Sequence, residues 1–411
     1  MRRPPLTYQK ALAWLYGLQR FGIKLGLENT RRLLAELQVN LGDCKVIHVA
    51  GTNGKGSACA MIDSILRAQE YRTGLFTSPH LVTFRERICV KGEMISEDAV
   101  AKGLTAIRDL VTDWEPHPTF FEVTTALALK HFSDAKIDIV TLETGLGGRL
   151  DATNAVQSNV SVITPIDFDH EKWLGKTLSE IATEKAGIIK QQIPVVSASQ
   201  RAEVEKVIRT RATECAAPLQ FVTKPYDETP IALVGRHQKQ NAALAISAIR
   251  AANIDIDGSA IAQGLTHIEW PARFQRWDDR IIIDGAHNPA AAGTLAQTWQ
   301  ETFGDQRASL ILAILSDKDL RGIFEALAPI ADSVLLPKIR SERATPPDEL
   351  AKVLRVSNPS LPYSTTQSVA DAFDQARAKP NPILLTGSLH FAGEALANLR
   401  GEPAAFEECA Q

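Results

Sequence analysis

Short runs of apolar, mostly β-branched residues alternate with amphipathic stretches along the first half of the chain. Such runs are typical of buried strands, whereas apolar residues that recur every three to four positions indicate one face of a helix. The predicted strands are Val46–Ala50, Thr73–Thr77, Ile137–Leu142, Asn159–Thr164 and Ile193–Ser197, and the predicted helices between them include Ser57–Gln69 and Glu122–Phe132. This alternation predicts an α/β fold in which helices cover a mostly parallel sheet.

A second series of the same kind begins near Arg280. Its predicted strands are Arg280–Asp284, Ser309–Leu315, Ser333–Leu336 and Ile383–Thr386, and its predicted helices are Pro289–Glu301, Leu320–Ala328, Pro347–Val356 and Ser368–Ala378. A helix predicted at His237–Ala251 precedes this series, and the break falls between Pro271 and Asp279. We therefore expect two domains, residues 1–274 and a smaller α/β domain of residues 275–411.

The bulk composition excludes several classes of protein. The formal net charge is −3, so no basic excess favours nucleic acid as a partner. The five cysteines are scattered, which argues against a disulfide framework and favours the cytoplasm. No apolar run approaches the ~20 residues that a membrane helix needs. The basic start Met1–Pro5 has no apolar segment after it, so we expect neither a secretory signal nor a membrane partner.

A glycine-rich segment with one lysine lies between the strand Val46–Ala50 and the helix that follows it. Its residues are Gly51, Thr52, Asn53, Gly54, Lys55, Gly56 and Ser57. Glycines let backbone N–H groups converge on phosphate oxygens, and the helix N-terminus and Lys55 add positive charge. The spacing departs from a Walker A motif, which would place glycine at position 49 and a hydroxyl residue at position 56. A plain glycine turn is the alternative, but the lysine and the hydroxyl group favour a phosphate site.

Two further segments place polar residues at the carboxyl ends of predicted strands, where open α/β sheets bind ligands. Glu143 ends an otherwise apolar strand, and its carboxylate suits Mg²⁺, which prefers oxygen ligands. His170 follows the strand Asn159–Thr164 and shares that edge with Lys55 and Glu143, so it is a candidate metal ligand. The alternatives are a loop-capping glutamate and a structural histidine.

Lys185 lies on a predicted helix that also carries Ile181 and Ile188. From the residues alone we interpret it as a surface lysine whose aliphatic stem covers apolar side chains. This interpretation gives Lys185 no role in chemistry.

Seven motifs occur in the order in which a known family of ligases has them. They are GTNGKGS (51–57), TSPHL (77–81), LETGLGGRLDATN (142–154), DFDH (167–170), EKAGI (184–188), WPARF (270–274) and DGAHNP (284–289). Together they resemble the folylpolyglutamate synthase and dihydrofolate synthase family, a branch of the Mur-type amide ligases, from about Leu25 to Leu396. The resemblance implies a P-loop domain of the Mur ligase type followed by a smaller Rossmann-like domain.

The resemblance also implies roles for individual residues. Gly51 to Ser57 would hold the phosphates of ATP, and further ATP contacts would come from Asn241, Arg273, Asp284 and His287. The magnesium ligands would be Ser57, Ser78, Glu143, His170 and Lys185, and they would hold two Mg²⁺ ions. Lys185 would be carbamylated, which turns it into an anion and replaces its interpretation as a surface lysine. The catalytic residues would then be Lys55, Lys185 and His170.

The substrates implied by the resemblance are ATP, L-glutamate and either folate or dihydropteroate, joined through an acyl phosphate. The pterin pocket would involve Lys24, Leu25, Gly26, Leu27, Thr119, Phe120, Phe121, Glu122, Leu150, Asp151 and Ala152. We expect a monomer, because both domains can supply one complete site. The possible pterin contacts favour a bifunctional enzyme over folylpolyglutamate synthase activity alone. A Mur-type cell-wall ligase, a P-loop NTPase switch and a nucleotide-binding domain without catalysis remain alternatives.

Overall fold

A computed structural model of the protein describes residues 4–22 and 26–407. The strands of its first sheet are β1 (Lys45–Ala50), β2 (Thr73–Phe76), β3 (Ile88–Val90), β4 (Glu93–Met94), β5 (Ile139–Glu143), β6 (Val160–Ile163), β7 (Val195–Ala198) and β8 (Leu219–Val222). The helices over the same stretch are α1 (Tyr8–Gly17), α2 (Glu28–Glu36), α3 (Lys55–Ala68), α4 (Glu97–Leu110), α5 (Phe120–Ala135), α6 (Glu171–Leu174), α7 (Leu178–Ala186), α8 (Ala202–Glu214), α9 (Arg236–Ala251) and α10 (Gly258–Thr266).

The first sheet is mostly parallel, as the sequence predicts. Over the described residues its strands follow the order β4-β3-β2-β5-β1-β6-β7-β8, and only the pairs β2–β3 and β3–β4 are antiparallel. The neighbours β2, β5, β1 and β6 all run in one direction, so their carboxyl ends meet at one edge. The segments that follow these four strands carry the TSPHL, LETGLGG, GTNGKGS and DFDH motifs, and the topology therefore assembles them side by side.

Alternation along β1 explains why helices cover both faces of this sheet. Ile47 and Val49 pack into one apolar cluster with α3, α9 and α10. Val46 points the other way and packs into a second cluster with α1, α4 and α5. Successive side chains of a strand point to opposite faces, so a run of consecutive apolar residues is suited to a sheet that is buried on both sides.

The second sheet is smaller and also mostly parallel. Its strands are β9 (Gln275–Arg276), β10 (Ile281–Ile283), β11 (Ala308–Leu312), β12 (Ala331–Pro337), β13 (Tyr363–Thr366) and β14 (Ile383–Thr386). Its helices are α11 (Pro289–Phe303), α12 (Leu320–Leu327), α13 (Pro347–Ser357), α14 (Val369–Arg377) and α15 (Leu389–Leu399). The strand order in the described part of the chain is β13-β12-β11-β14-β10-β9, with only β9 antiparallel to its neighbour. Two apolar clusters cover its faces.

The sequence predicts the central strands within a few residues but misses short ones at or near the sheet edges. β3, β4, β8, β9 and β13 are two to four residues long, and their side chains are largely half-buried or exposed. Such strands carry little of the apolar pattern on which the prediction depends. In the described part of the chain, no helix combines the length and apolar character that crossing a membrane requires.

A close contact between α3 and α10 gives a test of this packing. A Cβ added at Gly264 would lie 2.6 Å from the Cα of Ile65, and the Ser64 hydroxyl donates to the Gly264 carbonyl at 2.7 Å. Backbone atoms cannot move aside cheaply, so Gly264→Ala should destabilise the fold by about 1–3 kcal/mol. The matched control is Gly258→Ala on the same helix, where an added Cβ meets nothing within 4 Å.

Thermal unfolding of both variants checks this prediction. The midpoint should fall for Gly264→Ala and stay at or above the wild-type value for Gly258→Ala, because alanine is the better helix former. Equal midpoints for the two variants would contradict the packing described here.

Candidate active site

The glycine-rich segment after β1 forms a turn that only glycine can make. Gly51 has φ of 150° and an added Cβ there would lie 1.9 Å from Oγ1 of Thr164. Gly54 is left-handed, with φ of 88°, and no side-chain hydrogen bond caps the helix α3 that it opens. The first N–H groups of an α-helix lack partners within the helix, so this end of α3 is suited to an anion.

The other residues of the segment connect it to its surroundings. The Thr52 hydroxyl donates to the Asp167 carbonyl at 2.9 Å and accepts from the Asp167 N–H at 3.0 Å, which fixes the turn against the loop after β6. Nζ of Lys55 lies 3.3 Å from the Thr52 carbonyl. Ser57 is buried in the first turn of α3. The predicted phosphate residues Gly51 to Ser57 are therefore contiguous around one helix N-terminus.

Glu143 and Ser78, both predicted metal ligands, are direct neighbours. The Ser78 N–H donates to Oε2 of Glu143 at 3.1 Å. Burial raises the pKa of Glu143, while the charge of Lys55 and the Ser78 N–H oppose that rise. A buried carboxylate beside a lysine and a serine offers oxygen ligands to a hard cation.

Lys185 is buried, and its interpretation from the residues alone as a surface lysine is wrong. Only 4% of the residue is exposed, and Nζ donates to the Gly51 carbonyl at 2.9 Å. The capping box Thr177–Glu180 starts α7, and this short helix directs the lysine under the glycine-rich turn. Burial, followed by the charge of Lys55, lowers the pKa of Lys185 to about 7. A large fraction of the amine is therefore neutral near pH 7.

The side chain of Asp169 lies where the loop after β6 contacts loops of the second sheet. Its Oδ1 accepts from Nζ of Lys318 at 2.6 Å, and its Oδ2 lies 3.5 Å from Nε2 of His287. Nε2 of His170 lies 3.9 Å from the same Oδ2. Burial alone would raise the pKa of Asp169, but His287, His170 and Lys318 hold it well below its usual range. Asp169 is therefore an anion that binds the ammonium group of Lys318 and faces the imidazole rings of His170 and His287.

An amide pair makes a second contact between the two parts of the chain. Nδ2 of Asn288 donates to Oδ1 of Asn53 at 3.0 Å, and Nδ2 of Asn53 lies 3.3 Å from Oδ1 of Asn288. Asn288 is also the N-cap of α11, since its Oδ1 accepts from the Ala291 N–H. The start of α11 is thereby held against the glycine-rich turn.

Two more of the predicted ATP contacts lie at the same turn, and a third supports the backbone beside one of them. A Cβ added at Gly54 would lie 2.8 Å from Oδ1 of Asn241, and one added at Gly56 would lie 3.6 Å from Nη2 of Arg273. Asp284 accepts from the N–H groups of Phe274 and Ala286, so it fixes the backbone next to Arg273. Burial raises the pKa of Asp284, and the charge of Arg273 opposes that rise.

The predicted pterin residues lie in segments that pack on one another. Thr119 and Glu122 form the capping box of α5, and the Phe121 ring would lie 2.5 Å from a Cβ at Gly145. Asp151 accepts from the N–H groups of Gly145, Leu146 and Thr153, with Leu150 and Ala152 on either side of it. Phe120 is buried, and Gly26 and Leu27 precede α2, which packs on α5. Lys24 and Leu25 lie outside the described residues.

Three residues that link the two parts of the chain have no role in the sequence-based prediction: Asp169, Asn288 and Lys318. Asp169 stands inside the DFDH motif and Asn288 inside DGAHNP, so both were visible in the sequence. Lys318 follows β11 in the segment Ser316–Asp319, at the carboxyl side of a predicted strand. That position marks Lys318 as a candidate site residue, but the sequence does not reveal which residue on the first sheet's side it contacts.

Two family models match parts of the chain, and curated relatives match nearly all of it. The family model described as the Mur ligase middle domain matches residues 49–195, and the model described as the Mur ligase, glutamate ligase domain, matches residues 272–389. The dihydrofolate synthase/folylpolyglutamate synthase of Bacillus subtilis is 37% identical, over 96% of this chain and 99% of that protein.

Two solved structures show the same fold over almost all of the chain. E. coli FolC in complex with DHPP and ADP has a TM-score of 0.85 and 32% identity, covering 98% of this chain and 99% of that one. A bifunctional folylpolyglutamate synthase/dihydrofolate synthase with Mn, AMPPNP and L-glutamate bound has a TM-score of 0.85 and 30% identity, covering 97% and 99%. The chain therefore belongs to the dihydrofolate synthase/folylpolyglutamate synthase family, whose members are ATP-dependent ligases with the Mur ligase fold.

Proposed function

We propose that this chain joins L-glutamate to the carboxylate of a folate and also to that of dihydropteroate, with ATP as the energy source. The observation that carries the proposal is the convergence of the glycine-rich turn, the Ser78–Glu143 pair and the Asp169 cluster at one sheet edge. The relatives support the substrates, since one bears both synthase names and another was solved with a nucleotide analogue and L-glutamate.

The uncapped start of α3 and Lys55 would bind the phosphates of ATP. The backbone N–H groups from Gly54 to Ser57 converge there, and Lys55 adds a full positive charge. The nucleotide site would be completed by Asn241 on the helix α9 and, from the second sheet's side, by Arg273, Asp284 and His287. Lys55 and Arg273 then stabilise charge on the phosphoryl group as it moves to the substrate carboxylate.

Mg²⁺ suits the residues near Glu143. Among the described residues, no group of three or more His, Cys, Asp or Glu side chains is spaced to hold a metal by itself. Mg²⁺ is commonly held by one or two carboxylates together with phosphate oxygens and water. Glu143, Ser78, Ser57 and His170 would supply the protein ligands, and the metal would neutralise charge on the phosphates.

Lys185 would carry a carbamate. The amine is buried beneath the glycine-rich turn, and its lowered pKa leaves much of it neutral and able to react with carbon dioxide. The product is an anion, which would replace a buried amine next to Lys55 with a ligand for a second Mg²⁺. The EKAGI motif supports this assignment.

The reaction would proceed through an acyl phosphate. Phosphorylation makes the substrate carboxylate reactive, and the glutamate amine then attacks the acyl carbon and releases phosphate. Water must be excluded at that stage because it would hydrolyse the intermediate. Asp169 contacts Lys318 and Asn53 contacts Asn288, both from the second sheet's side. These contacts would limit the access of water to the intermediate from that side.

Three features of the whole chain complete the proposal. We assign residues 1–274 and 275–411 to two domains, because the last strand of the first sheet ends at Val222 and the second sheet begins at Gln275. A monomer is sufficient, since one chain carries every residue of the site described above. The enzyme would act in the cytoplasm.

Phosphate release from ATP distinguishes this function from its alternatives. Release should require L-glutamate together with either dihydropteroate or a reduced folate, and omission of either substrate should abolish it. If glutamate is joined to the folate but not to dihydropteroate, the chain is a folylpolyglutamate synthase only. Activity with a cell-wall precursor would indicate a cell-wall ligase. Phosphate release without any acceptor would indicate an NTPase switch.

Replacement of Lys55 tests the phosphate site. Lys55→Ala should lower kcat by about 10²–10³-fold, because it removes one group that stabilises the transferring phosphoryl charge. Lys206→Ala, an exposed lysine on α8, is the control and should keep wild-type turnover. Near wild-type turnover of Lys55→Ala would show that the phosphates bind elsewhere.

Replacement of Glu143 tests the metal site. Glu143→Gln keeps the shape of the side chain and removes its charge, so the Mg²⁺ concentration for half-maximal activity should rise by about tenfold or more. The exposed Glu203→Gln serves as the control. An unchanged magnesium dependence in Glu143→Gln would show that Glu143 has a structural role only.

Replacement of Lys185 separates the carbamate from a free amine. A carbamate predicts that Lys185→Arg and Lys185→Ala are both inactive, and that an added short carboxylic acid restores part of the activity of Lys185→Ala. A free amine acting as a cation predicts instead that Lys185→Arg retains activity and that the acid has no effect. Turnover of both variants with and without acetate decides between them.

A further inference from the structure

The residues after α15 run back across the first part of the chain and bind to the segment that carries Ser78. We call residues 403–407 the strap. The strap begins with a turn at Pro403–Ala405, and the buried ring of Phe406 packs edge-on against His390 with ring centroids 5.0 Å apart. Phe406 also packs in one apolar cluster with Val82 of the first part of the chain. The strap therefore joins the second sheet's last helix to the TSPHL region.

Glu407 makes the polar contacts of the strap. Its Oε2 accepts from the Phe84 N–H at 2.6 Å and from the Thr83 hydroxyl at 3.1 Å, and its Oε1 accepts from the Tyr8 hydroxyl at 3.0 Å. Its own N–H donates to the Val82 carbonyl at 2.8 Å. Hydrogen bonds to a charged acceptor are among the stronger ones, so Glu407 fixes the end of the segment 77–84.

His80 extends this contact toward the site. Nε of Arg87 donates to Nδ1 of His80 at 2.8 Å, and a guanidinium can only donate. Nδ1 is therefore the acceptor nitrogen, and the proton of the neutral ring lies on Nε2. Nε2 then donates to the Glu407 carbonyl at 3.1 Å. One imidazole thus links the backbone of the strap to a fully buried arginine of the first part of the chain.

Ser78 lies two residues before His80, and its position depends on the same segment. The Thr77 N–H donates to the Arg87 carbonyl at 3.1 Å, and the Ser78 N–H donates to Glu143 at 3.1 Å. The segment 77–84 is thereby anchored by Arg87 and Glu143 at one end and by Glu407 at the other. Leu81 between them packs against α15, since a Cβ at Gly393 would lie 1.8 Å from its carbonyl oxygen.

We propose that Glu407 and His80 are positioning residues that hold Ser78 against Glu143 and so set the affinity of the site for Mg²⁺. The inference rests on the proposed function, because it uses Ser78 and Glu143 as metal ligands. Neither Glu407 nor His80 contacts the metal. Their effect passes through the segment 77–84, and the strap makes that segment depend on the position of the second sheet.

The test compares Glu407→Ala with two matched variants. Glu407→Gln keeps an oxygen that can accept from the Phe84 N–H, and Glu402→Ala removes an exposed carboxylate shortly before the strap. The first readout is the MgCl₂ concentration for half-maximal ATP-dependent glutamate ligation. The second is amide hydrogen exchange of peptides covering residues 77–84, with residues 165–175 as an internal reference.

The inference predicts that Glu407→Ala raises the half-maximal MgCl₂ concentration by about tenfold, the usual effect of losing a partner behind a metal ligand. Exchange at residues 77–84 should become faster and that at 165–175 should not. Glu407→Gln should lie nearer the wild type, and Glu402→Ala should match it. If Glu407→Ala fails to fold, Glu407→Gln still has to show the same changes in a smaller amount.

An unchanged half-maximal MgCl₂ concentration in Glu407→Ala would overturn the inference, even if stability or exchange were altered. Glu143→Gln, measured in parallel, separates this failure from that of the proposed function. If Glu143→Gln weakens the magnesium response and Glu407→Ala does not, only the role of the strap is wrong. If neither variant changes the response, the assignment of the metal site is wrong, and the inference is overturned with it.

Discussion

The buried ion pair between Asp169 and Lys318 joins the two sheets of the molecule across the site. Its side chains are 8% and 6% exposed, and the charged atoms lie 2.6 Å apart. A buried charge that loses its partner costs about 3–5 kcal/mol, so the pair favours one arrangement of the loops after β6 and β11. Arg273, His287 and Asn288 lie on the same side as Lys318. Their distances from the glycine-rich turn therefore depend on this contact.

The carboxyl edge of the first sheet supplies the other half of the candidate active site. β2, β5, β1 and β6 are parallel neighbours, so the segments after them converge although they are far apart in the sequence. Each element of the site is then fixed by local chemistry. Glycine allows the turn at Gly51 and Gly54, Asp151 holds the loop after β5, and Thr52 holds the loop after β6.

Much of this edge could be predicted from the sequence because apolar runs identify central strands and polar residues after them mark the binding edge. Gly51 to Ser57, Glu143 and His170 were identified in this way. Lys185 could not be, since a lysine beside isoleucines on a helix has the same pattern whether it faces solvent or lies beneath a turn. Only the motif resemblance changed that interpretation. The burial of Lys185 depends on how α7 packs beneath the turn.

Contacts between the two sheets were beyond sequence reasoning for a related reason. The pairs Asp169–Lys318, Asn53–Asn288 and Glu407–Phe84 join residues separated by more than 140 positions. Periodicity describes one element at a time and carries no information on how two domains face each other. The short strands β9 and β13 were missed because their side chains show little apolar alternation.

A double-mutant cycle on Asp169 and Lys318 tests the central claim most directly. Asp169→Asn, Lys318→Met and the double variant would be compared by kcat and by the distance between spectroscopic labels on the two domains. The account predicts that each single variant lowers kcat and broadens the distance distribution, and that the double variant loses little more than the worse single one, as expected for coupled partners. Additive losses with an unchanged distance distribution would contradict the claim that this pair holds the domains together.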